Sequence, residues 1–78
     1  MEVKEFLKYL NKLPKESWYR SKDPVDRGFY TNIGKNTIEL RWDYIYINRK
    51  ILSTRIVPLR KIKKIYSKVL KLFQKRIK

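Results

Sequence analysis

Val3, Phe6, Leu7, Leu10 and Leu13 recur at the three- and four-residue spacing of an amphipathic helix, which predicts a first helix over residues 1–13. Glu2 and Glu5 fall near its positive end and Lys8 and Lys12 near its negative end, as a helix dipole favours. Pro14 stops it. Residues 14–28 then form a polar connection laid over the core, with Asp23-Pro24 as turn chemistry and with Trp18 and Tyr19 as its exposed aromatic residues.

From Phe29 the pattern changes to alternation, and residues 29–57 read as three strands: 29–33, 37–47 and 51–57. Pairing across a Lys35-Asn36 turn sets Ile33 opposite Ile38 and Phe29 opposite Trp42. Pairing across Asn48-Arg49-Lys50 sets Trp42 opposite Ile56, Tyr46 opposite Leu52 and Asp43 opposite Arg55. One face then carries Phe29, Ile33, Ile38, Leu40, Trp42, Tyr44, Tyr46, Leu52 and Ile56. The other carries Tyr30, Asn32, Glu39, Arg41, Asp43 and Arg55, turning apolar at Ile45 and Ile47. A slip of one residue in either turn would exchange the two faces.

Pro58 suits the first position of a second helix, 58–78, whose apolar residues at helical spacing are Ile62, Ile65, Tyr66, Val69, Leu70, Leu72, Phe73 and Ile77. The expected fold is therefore α+β, a single small domain of helix, three-stranded antiparallel meander and helix. Both helices need the same apolar sheet face as cover.

Charge changes the picture. The 78 residues include 21 Lys plus Arg against 7 Asp plus Glu, a net charge of +14. Residues 1–48 hold nine basic and seven acidic side chains, whereas residues 49–78 hold twelve basic and none acidic. At about 100° per residue, Lys61, Lys64, Lys68, Lys71, Lys75 and Lys78 fall on one arc opposite the apolar stripe. A merely solvated helix face interleaves Glu with Lys, because opposite i,i+4 pairs stabilise by roughly 0.2–0.5 kcal/mol and like pairs cost about as much. This helix has only like pairs, such as Arg60/Lys64, Lys64/Lys68 and Lys71/Lys75, so the face calls for a polyanion.

The arc is about 26 Å long, over which duplex DNA presents roughly fifteen phosphates. Lysine is a point charge on a flexible stem, so Arg60 and these lysines supply affinity and positioning without reading bases. Secondary contacts would come from Arg41 and Arg55 on the outer sheet face and from Arg49 and Lys50 at the hairpin tip. Glu39 and Asp43 on that face oppose them.

Other classes recede. With no Cys and no His the chain has no thiol nucleophile, no disulfide and none of the commonest metal ligands. A domain this short has little room for a cleft, and neither a metal nor another cofactor is expected. No run approaches the ~20 apolar residues of a membrane span, and Met1 opens onto Glu2-Val3-Lys4-Glu5 without the order of a signal peptide, so no membrane role and a cytoplasmic location are expected. The absence of Ala and the single Gln fit a thermophile or an AT-rich genome equally.

The helix-strand-strand-strand-helix order resembles the double-stranded RNA-binding domain, which implies recognition of A-form duplex shape. Here Arg60-Lys61 and Lys63-Lys64 stand where that family opens its last helix, with no Ala after them. Residues 29–78 also resemble the sheet and helix of integrase arm-binding and plant AP2-type domains, which implies a sheet laid in the major groove. Asp26 with Glu39-Leu40-Arg41 is similar to the carboxylates and basic residue of metal-dependent nucleases, with Arg replacing the usual Lys; no catalysis is expected of it. The expectation is a non-catalytic nucleic-acid-binding protein, duplex DNA ahead of RNA. The alternative is a small basic accessory or virus-encoded protein docking on an acidic surface of a polymerase, nuclease or other partner.

Overall fold

The computed structural model describes residues 3–52 and 55–74. The chain runs through α1 (Val3–Lys12), a 3-10 turn (Lys15–Ser17), β1 (Phe29–Ile33), β2 (Asn36–Leu40), β3 (Ile45–Ile47), β4 (Lys50–Ile51) and α2 (Leu59–Gln74). The fold is α+β, with a helix, an antiparallel sheet and a second helix in the expected order. The sheet, however, is a four-stranded meander in the order β1-β2-β3-β4, so the three-stranded expectation is corrected, as is the strand count behind the topological resemblances.

The difference begins at the turns. Gly34, at φ 61°, supplies the left-handed residue of the first turn, so β1 reverses at Gly34-Lys35 and not at Lys35-Asn36. Phe29 consequently pairs with Leu40 and Ile33 with Asn36, a shift of two positions that leaves the faces unchanged. The expected long strand over 37–47 is folded in two. Arg41 N–H donates to the Tyr44 carbonyl at 2.8 Å, Leu40 pairs with Ile45, and Trp42-Asp43 forms the tip between them. A two-residue tip reverses the alternation: beyond it the buried positions are odd-numbered, so Ile45 faces the core while Tyr44 is exposed and Tyr46 half-buried.

At the last turn Asn48 and Arg49 both take left-handed backbone, φ 51° and 70°, as a type I′ turn requires. Tyr46 therefore pairs with Ile51, not Leu52. Asn48 also braces the sheet, its Oδ1 accepting from Thr37 N–H at 2.9 Å. The strand expected over 51–57 ends at Ile51. Ser53 and Thr54 lie outside the described residues, Ile56 is exposed and its neighbour Val57 is fully buried.

The core gathers Phe29, Ile38, Leu40 and Ile45 from the sheet, Leu7 and Leu10 from α1, and Ile62, Ile65, Tyr66 and Val69 from α2, joined by Trp18 and Val57. Both helices thus bury their stripes against one sheet face, as their spacing called for. Pro58 caps α2 rather than opening it, its carbonyl accepting from Lys61 N–H at 3.0 Å. The connection is tied down at several points. Thr31 Oγ1 donates to the Ser17 carbonyl at 2.7 Å, and Tyr19 and Tyr30 exchange two backbone hydrogen bonds of 2.8 Å. Asp23 Oδ1 accepts from Val25 N–H at 2.9 Å, the turn chemistry expected of Asp23-Pro24. Trp18, expected on the surface, is buried, whereas Tyr19 is exposed and stacks on Tyr30.

Trp42 is the largest correction. Placed by alternation in the core, it is 49% exposed at the β2–β3 tip, touching Tyr66 edge-on at 5.6 Å. Ile45→Ala should cost about 2–5 kcal/mol in urea unfolding, since it opens a cavity in the core. Trp42→Ala should cost about 1–2 kcal/mol, the scale of one aromatic contact and one cation-π contact. Equal losses for the two would return Trp42 to the core.

Candidate nucleic-acid interface

The apolar stripe of α2 turns inward, which leaves Arg60, Lys61, Lys64, Lys68 and Lys71 exposed. Lys75 and Lys78 lie outside the described residues. Among the described residues, no carboxylate lies within ion-pair distance of Lys61, Lys64 or Lys71, and the first turn of α2 carries no acidic side chain. Arg60 and Lys61 there face the positive end of a helix dipole, an arrangement that costs stability.

Helix α1 completes the surface in a way charge counting does not reveal. Lys4 and Lys8 from α1 and Lys61 and Lys64 from α2 line one groove of about 350 Å³, with Leu7 and Ile65 beneath them. The four ammonium groups belong to helices far apart in sequence. The balance of acids and bases along α1 hides the pair, because Glu5 is not among the groove's lining residues. The available signal was the position of Lys4 and Lys8 beside Leu7, at the edge of the stripe that must meet α2.

Lys68 has a different task from its neighbours. Its Nζ donates to the backbone carbonyl of Asn11, in the last turn of α1 where carbonyls lack helical partners. The ammonium thereby caps α1 and fastens it to α2, with two of its three donors left over.

The outer sheet face is different from what the alternation implied. Arg41 does not project toward a partner: its guanidinium bonds Glu39 through Nε and Asp26 Oδ1 through Nη2, the latter at 3.0 Å. Asp26 is further held by the Tyr30 hydroxyl and by Gly28 N–H at 2.8 Å. These hydrogen bonds, Tyr30 first, and the Arg41 charge keep the Asp26 carboxyl below the usual carboxylate range. The same hydrogen bond and partial burial push Tyr30 up to about 12, and Glu39 raises Arg41 further. The residues resembling a nuclease motif do come together, but with a guanidinium bridging the two carboxylates. Among the described residues there is no cluster of three or more acidic side chains able to hold a metal.

Of the other secondary candidates, Arg49 and Lys50 are exposed at the β3–β4 turn and do not line the groove. Arg55 is exposed in the turn before α2 rather than on the strand expected to set it opposite Asp43, and Asp43 sits at the β2–β3 tip. No helix of the described residues is long and apolar enough to cross a membrane. No family model, curated protein or solved structure matches the chain.

The Asp26 cluster yields a signed pH effect. Because the folded-state pKa of Asp26 lies below its unfolded value of about 3.9, its contribution is present above that pH and disappears as pH falls through the folded value. The stability gap between the native chain and Asp26→Asn should be wide at pH 6 and close below pH ~4. A gap independent of pH would mean that the charge of Asp26 is not what stabilises the cluster.

Proposed function

We propose that the chain is a non-catalytic nucleic-acid-binding protein that holds a phosphate backbone, duplex DNA ahead of RNA, between and along its two helices. The observation that carries this reading is the convergence of Lys4, Lys8, Lys61 and Lys64 on one groove that no acidic side chain lines among the described residues. A face kept only for solubility gains nothing by setting four like charges around one groove, where each pair repels. An anion seated among them removes that cost and releases condensed counterions from the nucleic acid. The lysines are spherical donors on mobile stems, so they fit phosphates along a strand and discriminate little between sequences.

Arg60 and Lys71, on the exposed back of α2, extend the surface beyond the groove, giving five or six cations for phosphates. The Asp26, Glu39 and Arg41 cluster lies apart from that set, and its charges are already satisfied by one another.

Five or six phosphate contacts imply a slope of about −5 for log affinity against log salt, a fall of about a thousandfold between 50 and 200 mM. In the Lys4→Gln, Lys8→Gln, Lys61→Gln, Lys64→Gln variant the slope should drop by about 3–4 for every sequence tested, each lost contact removing about 0.9. Arg49→Ala, Lys50→Ala should leave most of the affinity in place. A slope near zero for duplex DNA, duplex RNA and single strands alike would overturn the reading. Polyglutamate bound as tightly as DNA would point to an acidic protein surface as the partner.

A further inference from the structure

A second groove lies on the other flank of α2. At 100° per residue, the core direction of α2 runs through Ile62 and Val69; Lys61 and Ile65 lie to one side of it, Lys63, Tyr66 and Phe73 to the other. The second groove, of about 540 Å³, is lined by Arg20, Arg27, Trp42, Tyr66 and Phe73 among others, and among the described residues no carboxylate lines it. Its chemistry differs from that of the lysine groove: arginine in place of lysine, and aromatic rings in place of aliphatic walls.

Three rings in this region are paired with a cation. Lys63 Nζ lies 5.2 Å from the Trp42 ring centroid, the Arg20 guanidinium 4.9 Å from that of Phe29, and Lys15 Nζ 5.5 Å from that of Phe73. Phe29 is buried, and Tyr66 is fixed by its hydroxyl, which donates to the Arg27 carbonyl at 2.8 Å. Trp42 is the ring left half exposed, at the tip of a hairpin, where solubility alone would disfavour the largest aromatic side chain. Tyr66 meets the ring at 78° and Lys63 Nζ lies over it, so the indole is positioned while about half of its surface stays open to solvent.

We infer that this groove is a seat for an unpaired nucleotide, with Trp42 stacking on the base and Arg20, Arg27 and Lys63 neutralising the phosphates beside it. Aromatic rings and cations together are what a single strand needs: every base has a π face, every link a negative charge. An acidic peptide would use the cations but leave the indole without a partner, and a duplex keeps its bases stacked within itself. The exposed back of α2, with Arg60, Lys64 and Lys71, joins this groove to the lysine groove, so a strand leaving a duplex on one flank can enter the other. The inference rests on the nucleic-acid reading above and adds to it the preference for an unpaired segment.

The test uses tryptophan fluorescence, since Trp42 is exposed and Trp18 is buried. The full chain is titrated with oligothymidylate of about ten nucleotides, with an abasic phosphodiester strand of equal length, with polyglutamate, and with blunt duplex. Oligothymidylate should quench the emission and bind about five- to tenfold more tightly than the abasic strand, the scale of one stacked base. Followed by the anisotropy of labelled strands, since these variants lack the reporting indole, Trp42→Ala should abolish that difference while blunt-duplex affinity is unchanged, and Trp42→Phe should restore most of it. Equal affinity for the two strands, a preference that survives Trp42→Ala, or equal quenching by polyglutamate would overturn the inference while duplex binding stood. Loss of all nucleic-acid binding in the native chain would overturn both readings.

Discussion

Burial of α1 and α2 against one apolar sheet face, made by Phe29, Ile38, Leu40 and Ile45, is the constraint from which the surface chemistry follows. A fully buried aliphatic or aromatic side chain stabilises by about 1.5–3 kcal/mol, and the two helices place Leu10, Ile62 and Val69 almost wholly out of water. Two lysines facing each other across ~8 Å of water repel by only about 0.5 kcal/mol. The core therefore wins, and the helices lie side by side although both present lysines at the seam. The core thus holds together a groove around which, among the described residues, four lysines gather without a carboxylate.

The acidic residues sharpen that asymmetry. Asp26 and Glu39 are both taken by Arg41 near the outer sheet face, with Tyr30 and Gly28 N–H completing the shell around Asp26. Neither carboxylate is free to temper the helices. The molecule thus separates a satisfied ionic cluster, which ties the connection to β1 and β2, from a cationic helical surface that lacks carboxylate partners among the described residues. Lys68 belongs partly to each category, since it holds the end of α1 while remaining exposed.

The helices were legible in the sequence because a period of three to four persists over three or more turns, and Pro14 and Pro58 mark their edges. The sheet was legible as alternation, but its folding was not. Residues 38, 40, 42, 44 and 46 alternate without a break, and the aromatic side chains at 42, 44 and 46 look as apolar as Ile38 and Leu40. What decides is that Ile45 can be fully desolvated, and Ile47 partly so, without stranding a polar atom, whereas Tyr44, Tyr46 and Trp42 each carry a polar group that prefers the surface. Asp43 at the tip and Gly34 one position before the assumed turn were the local signals for the observed reversals. The lysine arc on α2 could be read from helical spacing alone. The place of Lys4 and Lys8 beside Leu7 was legible as well, but not that this flank of α1 is the one that meets α2, a tertiary fact. The exposure of Trp42 followed from the same misread strand, and with it the aromatic groove.

If the convergence of like charges is retained for an anion and not for the fold, relieving it should make the protein more stable. Thermal unfolding of the Lys4→Gln, Lys8→Gln, Lys61→Gln, Lys64→Gln variant, followed at 10 mM and at 500 mM salt, tests this most directly. The account predicts a midpoint several degrees above that of the native chain at low salt, about the effect of 1 kcal/mol in a domain this size, with the difference vanishing at high salt. A variant less stable than the native chain at both salt concentrations would contradict it, because the four lysines would then be structural members of the helix seam.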